Sequence, residues 1–301
     1  MTVLDVASYT GRVFPADVES LVRDFLHEWT LGDYLDHWSP TSLTDFRRCP
    51  HQWQLAKIQK HKKRPGEAPV VGFTVHAAFD RNFSQKIRTH EDLPLVDLLD
   101  WYMAEGFAEV VISEQEKTGL EVRWDTDPES ARQRGYQMIA AYMKGVAPRI
   151  QPLSTETKIV IDVGAPVPVE GRYDLLREES AIDYKTGSRV RRSPKDSWRF
   201  QGSVYAEATG KPVEFHSISA SETKNSVTIV TPLEAEALLV APTAKEQAEM
   251  RRTIQTISAE ACMYMTLFGP DEPWPTHGVT NDWACNPKWC QFRPICPAWE
   301  D

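Results

Sequence analysis

Residues 169–187 read Val169-Glu170-Gly171-Arg172-Tyr173-Asp174-Leu175-Leu176-Arg177, then Glu178-Glu179-Ser180, then Ala181-Ile182-Asp183-Tyr184-Lys185-Thr186-Gly187. Apolar and β-branched residues alternate on both sides of a short polar break, which is the pattern of two consecutive strands. Side chains alternate along a strand, so Asp183 and Lys185 leave the same face, about 6–7 Å apart along the backbone. Ile182 and Tyr184 then face the opposite way, into packing. Pairing across Glu178-Glu179-Ser180 would set Asp174 beside Asp183.

Two carboxylates beside one ammonium suit metal-assisted phosphodiester hydrolysis. The acids hold a hard divalent cation through oxygen, the cation polarises phosphate and acidifies a water, and the lysine orients that water or offsets negative charge. By itself an Asp-x-Lys triplet is weak, because each charged residue type makes up roughly 6% of a chain and about one such triplet arises by chance in this length. Its plain reading is a salt bridge at a strand end.

Working outward, Thr157 to Val163 reads as a strand before this pair. A helix over about 194–209 follows, then strands near Val213 to Ala220 and Val227 to Thr231, and a last helix over about 243–266. The N-terminal half is helical by spacing, with segments at 15–29, from about Ser42 to Cys49-Pro50 with resumption over Trp53, at 72–88, at 93–118 and at 127–149. Ser42 with Asp45 three residues on resembles a capping box. The order predicts a mixed α/β core with a helical lobe. The boundaries read as 1–38, an N-terminal helical segment; 39–90, helical, with the first cysteine and a histidine motif; 91–150, a helical insertion; 151–242, the α/β core; and 243–301, a last helix and a cysteine-bearing loop.

The chain has 301 residues, 41% hydrophobic and 26% charged, which excludes a largely disordered protein. No apolar run reaches membrane-spanning length, and the first residues lack a signal peptide's basic start and apolar stretch, so a soluble protein of the cytoplasm, or of a host's cytoplasm if viral, is expected. A net charge of −9 speaks against nucleic acid at first sight. Locally the balance reverses: Arg47, Arg48, Lys57, Lys60, Lys62, Lys63 and Arg64 fall within 46–66 with no acidic residue, and His51 and His61 add to them. Arg189, Arg191, Arg192, Lys195 and Arg199 follow Lys185. Both groups could line a channel for a phosphate backbone, with Trp53 and Trp198 as base-stacking candidates, although a solvated basic face and ordinary core packing are the commoner roles. Cys285, Cys290 and Cys296 crowd near the C-terminus. In a reducing compartment such a cluster points to metal or iron–sulfur ligation rather than to disulfides, whereas Cys262 on the last helix reads as packing.

The succession Ser39-Pro40-Thr41-Ser42-Leu43 with Phe46 and Cys49-Pro50, then Gly72 to His76, Gly171 to Asp174, Ile182 to Gly187 and Gln201 to Tyr205 resembles the RecB-type branch of the PD-(D/E)xK nuclease superfamily. Closest in plan are single-strand DNA exonucleases related to CRISPR-associated and phage recombination enzymes. The resemblance runs from about Ser39 to Cys296 and its specificity lies in the order of five motifs. It implies a restriction-endonuclease-like mixed sheet flanked by helices, with a helical insertion and a C-terminal cysteine clasp.

The same resemblance implies that His76, Asp174 and Asp183 hold Mg²⁺ or Mn²⁺, with the Tyr184 carbonyl a further ligand. Lys185 would be the catalytic lysine, and Gln201 and Tyr205, one helical turn apart, would reach the DNA or scissile phosphate. Without the motifs, His76 reads as a core histidine bonded to Asp80. Glu156 is a candidate extra acid but reads more simply as a solvated strand end. Cys49, Cys285, Cys290 and Cys296 would bind a [4Fe–4S] cluster joining both ends of the chain, although four residues separate Cys285 from Cys290 where the family usually has two, and zinc is the other metal for four thiolates.

The activity implied is a divalent-metal-dependent DNA exonuclease preferring single-stranded ends, in recombination, repair or defence. Degradation from the 5′ end is taken from the family alone. A DNA-end-binding subunit with little activity and an endonuclease are the alternatives. The expected partner is DNA with free ends and not a membrane, with a homo-oligomer or recombination and defence proteins as further company.

Overall fold

The computed structural model describes residues 30–221, 226–276, 284–287 and 290–299. The helix expected at 15–29 lies outside them. Ser39, not Ser42, caps the first helix: its side chain accepts the Ser42 N–H at 3.1 Å, and Pro40 takes the first helical position. Proline suits that place because its missing N–H would be unpaired there anyway. The helix α1 (Pro40–Arg48) ends at Cys49, whose side chain in turn caps α2 (Pro50–Lys57).

Helix α3 (Glu67–Thr89) begins five residues before the Gly72 expected from apolar spacing. The cause is tertiary. The buried Glu67 carboxylate accepts the backbone N–H groups of Asp125 and Thr126 and pairs with Arg134, so the first turn is fixed from a distant segment. Helices α4 (Leu95–Trp101) and α5 (Phe107–Thr118) run on through a π-helical turn at Tyr102–Gly106, and α6 (Pro128–Gly145) is capped by Asp127.

Strands β1 (Ser154–Ile161), β2 (Val169–Leu176), β3 (Ala181–Thr186), β4 (Val213–Ser221), β5 (Ser226–Val230) and the two-residue β6 (Leu239–Val240) make one mixed sheet. The order is β1-β2-β3-β4-β5, with β6 paired beside β5 on β4; only β3 and β4 are parallel, joined through helix α7 (Asp196–Thr209). A parallel pair needs such a crossover. The last helix is α8 (Ala244–Phe268), closed at its start by the Thr243–Glu246 capping box.

Each face of the sheet carries its own core. On one, Trp38, Phe46, Trp53, Val204, Phe215, Ile254 and Trp274 join α1, α2, α7 and α8 to Ala181 and Val213. On the other, Phe79, Phe83, Tyr102, Ile139 and Tyr142 join α3–α6 to Ile182, Tyr184 and Ile218. Helices on both faces of a mixed sheet are the architecture the sequence order predicts. Trp53 is wholly inside the first core, stacked between Trp38 and Trp274, and so corrects its candidacy as a base-stacking residue. Among the described residues no helix is long and apolar enough to cross a membrane.

Gly135 of α6 lies against the buried Tyr102 hydroxyl, which meets Thr74 Oγ1 and donates to the Arg132 carbonyl. A Cβ there would overlap that hydroxyl. Gly135→Ala is therefore expected to cost about 1–3 kcal/mol by overpacking. Urea unfolding followed by tryptophan fluorescence would show it as a lowered midpoint with unchanged slope; an unchanged midpoint would mean that Tyr102 moves aside freely.

Candidate active site and cysteine cavity

Gly72 lets α3 approach the end of β3, since a Cβ at that position would stand 2.9 Å from Thr186 Oγ1. One turn later His76 reaches between β2 and β3. Its Nδ1 lies 3.2 Å from Asp174 Oδ1 and its Nε2 lies 3.1 Å from the Tyr184 carbonyl oxygen. A carbonyl only accepts, and a carboxylate facing the other nitrogen favours a proton there as well, so the ring is an imidazolium. Burial pulls the His76 pKa down, but the charge and hydrogen bond of Asp174, helped by Asp183, carry it up to about 9. Burial works to raise Asp174; the His76 charge and bond and the Tyr184 N–H, donated to Oδ2 at 2.6 Å, bring it below its ordinary value. The Asp80 carboxylate accepts from Ser84 instead.

β2 pairs with β3 at Leu175↔Ile182 and Leu176↔Ala181, and the next residue along is Asp174 on one strand and Asp183 on the other. The buried Asp183 and the half-buried Lys185 project toward α7, while Ile182 and Tyr184 enter the opposite core, as strand alternation requires. Lys185 Nζ is 2.6 Å from Asp183 Oδ2 and donates to Gln201 Oε1 at 2.8 Å. The Gln201 amide donates to Asp183 Oδ1 at 3.0 Å and to the Tyr205 hydroxyl at 2.8 Å. Apart from this ion pair, the buried Asp183 Oδ2 accepts nothing further among the described residues. Burial lifts Asp183, against the pull of Lys185 and with the push of Asp174, to about 6. Tyr205 is buried against Gly171 and touches Gln201 rather than opening outward.

Glu156 is where sequence and structure part. In the β1–β2 register it falls opposite Asp174, between Thr155↔Leu175 and Thr157↔Tyr173, and its backbone takes a φ of 43°. That left-handed conformation is costly for a residue with a Cβ, of order 1–3 kcal/mol, and such strain clusters at functional sites. The side chain turns inward: one ligand atom each from His76, Glu156 and Asp174 lies within 4.8 Å of the others. Burial, and next the Asp174 charge, raise Glu156 to about 7. It is therefore not a solvated strand end. The signal that finds it is register, since the residue facing Asp174 across the preceding hairpin shares its face.

These groups fit a divalent cation. Glu156 and Asp183 are both held toward their neutral forms by burial and, after it, by the Asp174 charge, and the donors are hard oxygens and an imidazole. In this arrangement the His76 imidazolium and the Lys185 ammonium supply the balancing positive charge.

Arg47, Lys57, Lys60, Arg189, Arg191, Arg192 and Arg199 are exposed. Arg48 instead turns back to Asp45 at 2.9 Å and donates to the Gln52 side-chain amide oxygen, and Lys60 donates to the Tyr34 carbonyl. Trp198 is half-buried, stacked on Phe215, with Lys185 Nζ 5.9 Å from its ring.

The cysteines converge. Cys49, Cys285, Cys290 and Cys296 line one cavity with His51, Gln52, Phe292 and Trp299. The Gln52 backbone N–H donates to the Cys49 sulfur at 3.4 Å, and the backbone N–H groups of Phe292 and Ala298 pull the Cys290 and Cys296 thiols down against burial. Burial, and then the neighbouring thiols, hold Cys290 and Cys296 protonated above the ordinary thiol range, so these sulfurs ionise together only beside a cation. Gln54 secures the walls by donating to the Pro270 and Glu272 carbonyls and accepting the Trp274 N–H. His51, counted above with the exposed basic run, is buried here. Cys262 stands apart on α8, half-buried, its thiol raised by burial.

A mixed sheet that sets Asp174 opposite Asp183, with Lys185 two residues on and an acidic cluster able to hold a cation, has the arrangement of a nuclease. The chain belongs to the PD-(D/E)XK nuclease superfamily, whose family model matches residues 37–297. Among solved structures, a protein from Eubacterium rectale provisionally designated an exonuclease is similar at 12% identity and a TM-score of 0.48, over 78% of this chain and 85% of that one. SSO0001 is similar at 14% identity and a TM-score of 0.36, over 74% of this chain and 98% of that one. No curated protein sequence matches the chain.

Proposed function

We propose that this nuclease is a divalent-metal-dependent exonuclease that degrades DNA from single-stranded ends, in recombination, repair or defence, with 5′-to-3′ polarity. The observation that carries the catalytic part is the convergence of His76, Glu156, Asp174, Asp183 and Lys185 where β2 and β3 pair. His76, Asp174 and Asp183 would hold Mg²⁺ or Mn²⁺, joined by Glu156 and by the Tyr184 carbonyl. The chemistry such a cation would supply there is polarisation of the phosphate and a lowered pKa for a water. His76 gives up a proton to serve as a ligand, since both ring nitrogens are engaged in donating. Lys185, steadied by Gln201 and Asp183, orients the water or offsets charge on the phosphate; Tyr205 positions Gln201. The exposed arginines and lysines at 47–60 and 189–199 bind the phosphate backbone. The preference for ends and for single strands rests on the motif order, and the helical insertion at 91–150 belongs to the same reading.

The cysteine cavity would hold a [4Fe–4S] cluster through Cys49, Cys285, Cys290 and Cys296. Its role is to fasten the two ends of the chain.

The test is end-labelled single- and double-stranded DNA with Mg²⁺ or Mn²⁺. Mononucleotides or short products appearing from the first seconds, with single strands consumed at least about tenfold faster, are the expected result. Cleavage of closed circular DNA at the same rate would establish an endonuclease instead.

A further inference from the structure

We propose that Arg172, with Lys158 beside it, anchors the DNA phosphate next to the one being cleaved and so fixes where the strand lies on the sheet. The inference rests on the reading that this site cleaves DNA, and it brings in two cations outside the basic runs already named. Glu156 and Asp174 face each other across β1 and β2, and the next pair on the same face is Lys158 and Arg172. Successive same-face pairs stand about 6–7 Å apart along the strands, close to the step between neighbouring phosphates of a nucleic-acid strand.

The place is open to solvent. Helix α3 covers β1 as far as Thr155, whose hydroxyl meets Ser84 Oγ at 2.9 Å. Past that cover the side chains of Lys158 and Arg172 are 59% and 62% exposed, and Val160 is exposed after them. A strand of DNA entering the carboxylate site from this side would cross the pair.

Like charges directly opposite each other on paired strands repel and cost stability. Glu170 answers one of the two: its carboxylate lies 2.7 Å from Lys158 Nζ and 3.2 Å from His37 Nδ1. Arg172 is left differently. Glu156 Oε2, at 3.7 Å, is beyond hydrogen-bond reach, and among the described residues the guanidinium makes no hydrogen bond. Its planar fork of donors matches the two unesterified oxygens of a phosphodiester. An anion shared with Lys158 would also relieve the repulsion between the two cations. Because Glu170 already holds Lys158, Arg172 carries most of the grip.

The test uses full-length protein with Mg²⁺ or Mn²⁺ and single-stranded oligonucleotides that carry one neutral methylphosphonate linkage, placed immediately to either side of the first linkage cut. With the unaltered protein one of the two placements should raise KM about tenfold, and Arg172→Ala on fully charged DNA should do the same. Together the two changes should cost little more than either alone, because they remove one contact. The loss should fall on KM rather than on kcat, Arg172→Lys should recover part of it, and the salt dependence of binding should flatten by about one phosphate. Glu170→Gln, which frees Lys158, should tighten binding about two- to threefold, a sign that a merely structural role would not give. Effects that multiply at both placements, or a Glu170→Gln protein that binds no more tightly, overturn the anchor and leave the nuclease reading standing. A protein that cuts none of the oligonucleotides overturns both.

Discussion

Lys185→Ala is expected to lower the cleavage rate of labelled DNA by about 10³-fold, roughly 4 kcal/mol at the transition state. The ammonium is held at the carboxylates by two side chains, 2.6 Å from Asp183 and 2.8 Å from Gln201, so it needs no reorganisation to act when charge builds on the phosphate. Gln201→Ala should cost less, about 10–10²-fold, because it loosens the lysine without removing it. Lys185→Arg should recover little, since a planar guanidinium cannot take the place of a compact ammonium between those two partners. Single-turnover rates, with thermal melts to confirm that each variant folds, separate these cases. Activity within tenfold of wild type in Lys185→Ala would remove the lysine from the mechanism.

Cys49→Ala, or removal of metal by a chelator, should lower stability by about 4–5 kcal/mol, which in a protein of this size lowers the midpoint of thermal unfolding by about 10 °C or more. Cys49 and Cys290 are far apart in sequence, and tying them together restricts the unfolded chain much as a long-loop disulfide does. Cys49 also ends α1 and starts α2, so its loss frees a helix cap as well. The hydrogen bonds of Gln54 to Pro270, Glu272 and Trp274 remain in the variant and limit the damage. An unchanged melting temperature would show that nothing bound in the cavity fastens the two ends.

Strand alternation alone separates Asp183 and Lys185 from Ile182 and Tyr184, and the turn at 178–180 is enough to bring Asp174 opposite Asp183, which is why the central part of the site is readable from residues 169–187. What escapes such reading depends on partners remote in the chain. Glu156 looks solvated until its register against β2 is known, and its positive φ is not written in its neighbours. His51 sits in a run of basic residues and shares their apparent exposure, yet Gln54 and the C-terminal segment bury it. The first turn of α3 has no apolar periodicity to announce it, since Glu67 is held by Asp125, Thr126 and Arg134. Trp53 looks like a stacking platform for a base because nothing local reveals Trp38 and Trp274 above and below it.

Tyr184 meets the site through its main chain, the N–H to Asp174 and the carbonyl to His76, and its ring, packed among Phe79, Tyr142 and His216, also stands edge-on to the His76 ring at 5.6 Å. Exchanging that side chain cannot delete either bond. It can tilt the strand and loosen the His76 ring, so changes in the distant core reach the chemistry as small rotations of one peptide plane and one imidazole.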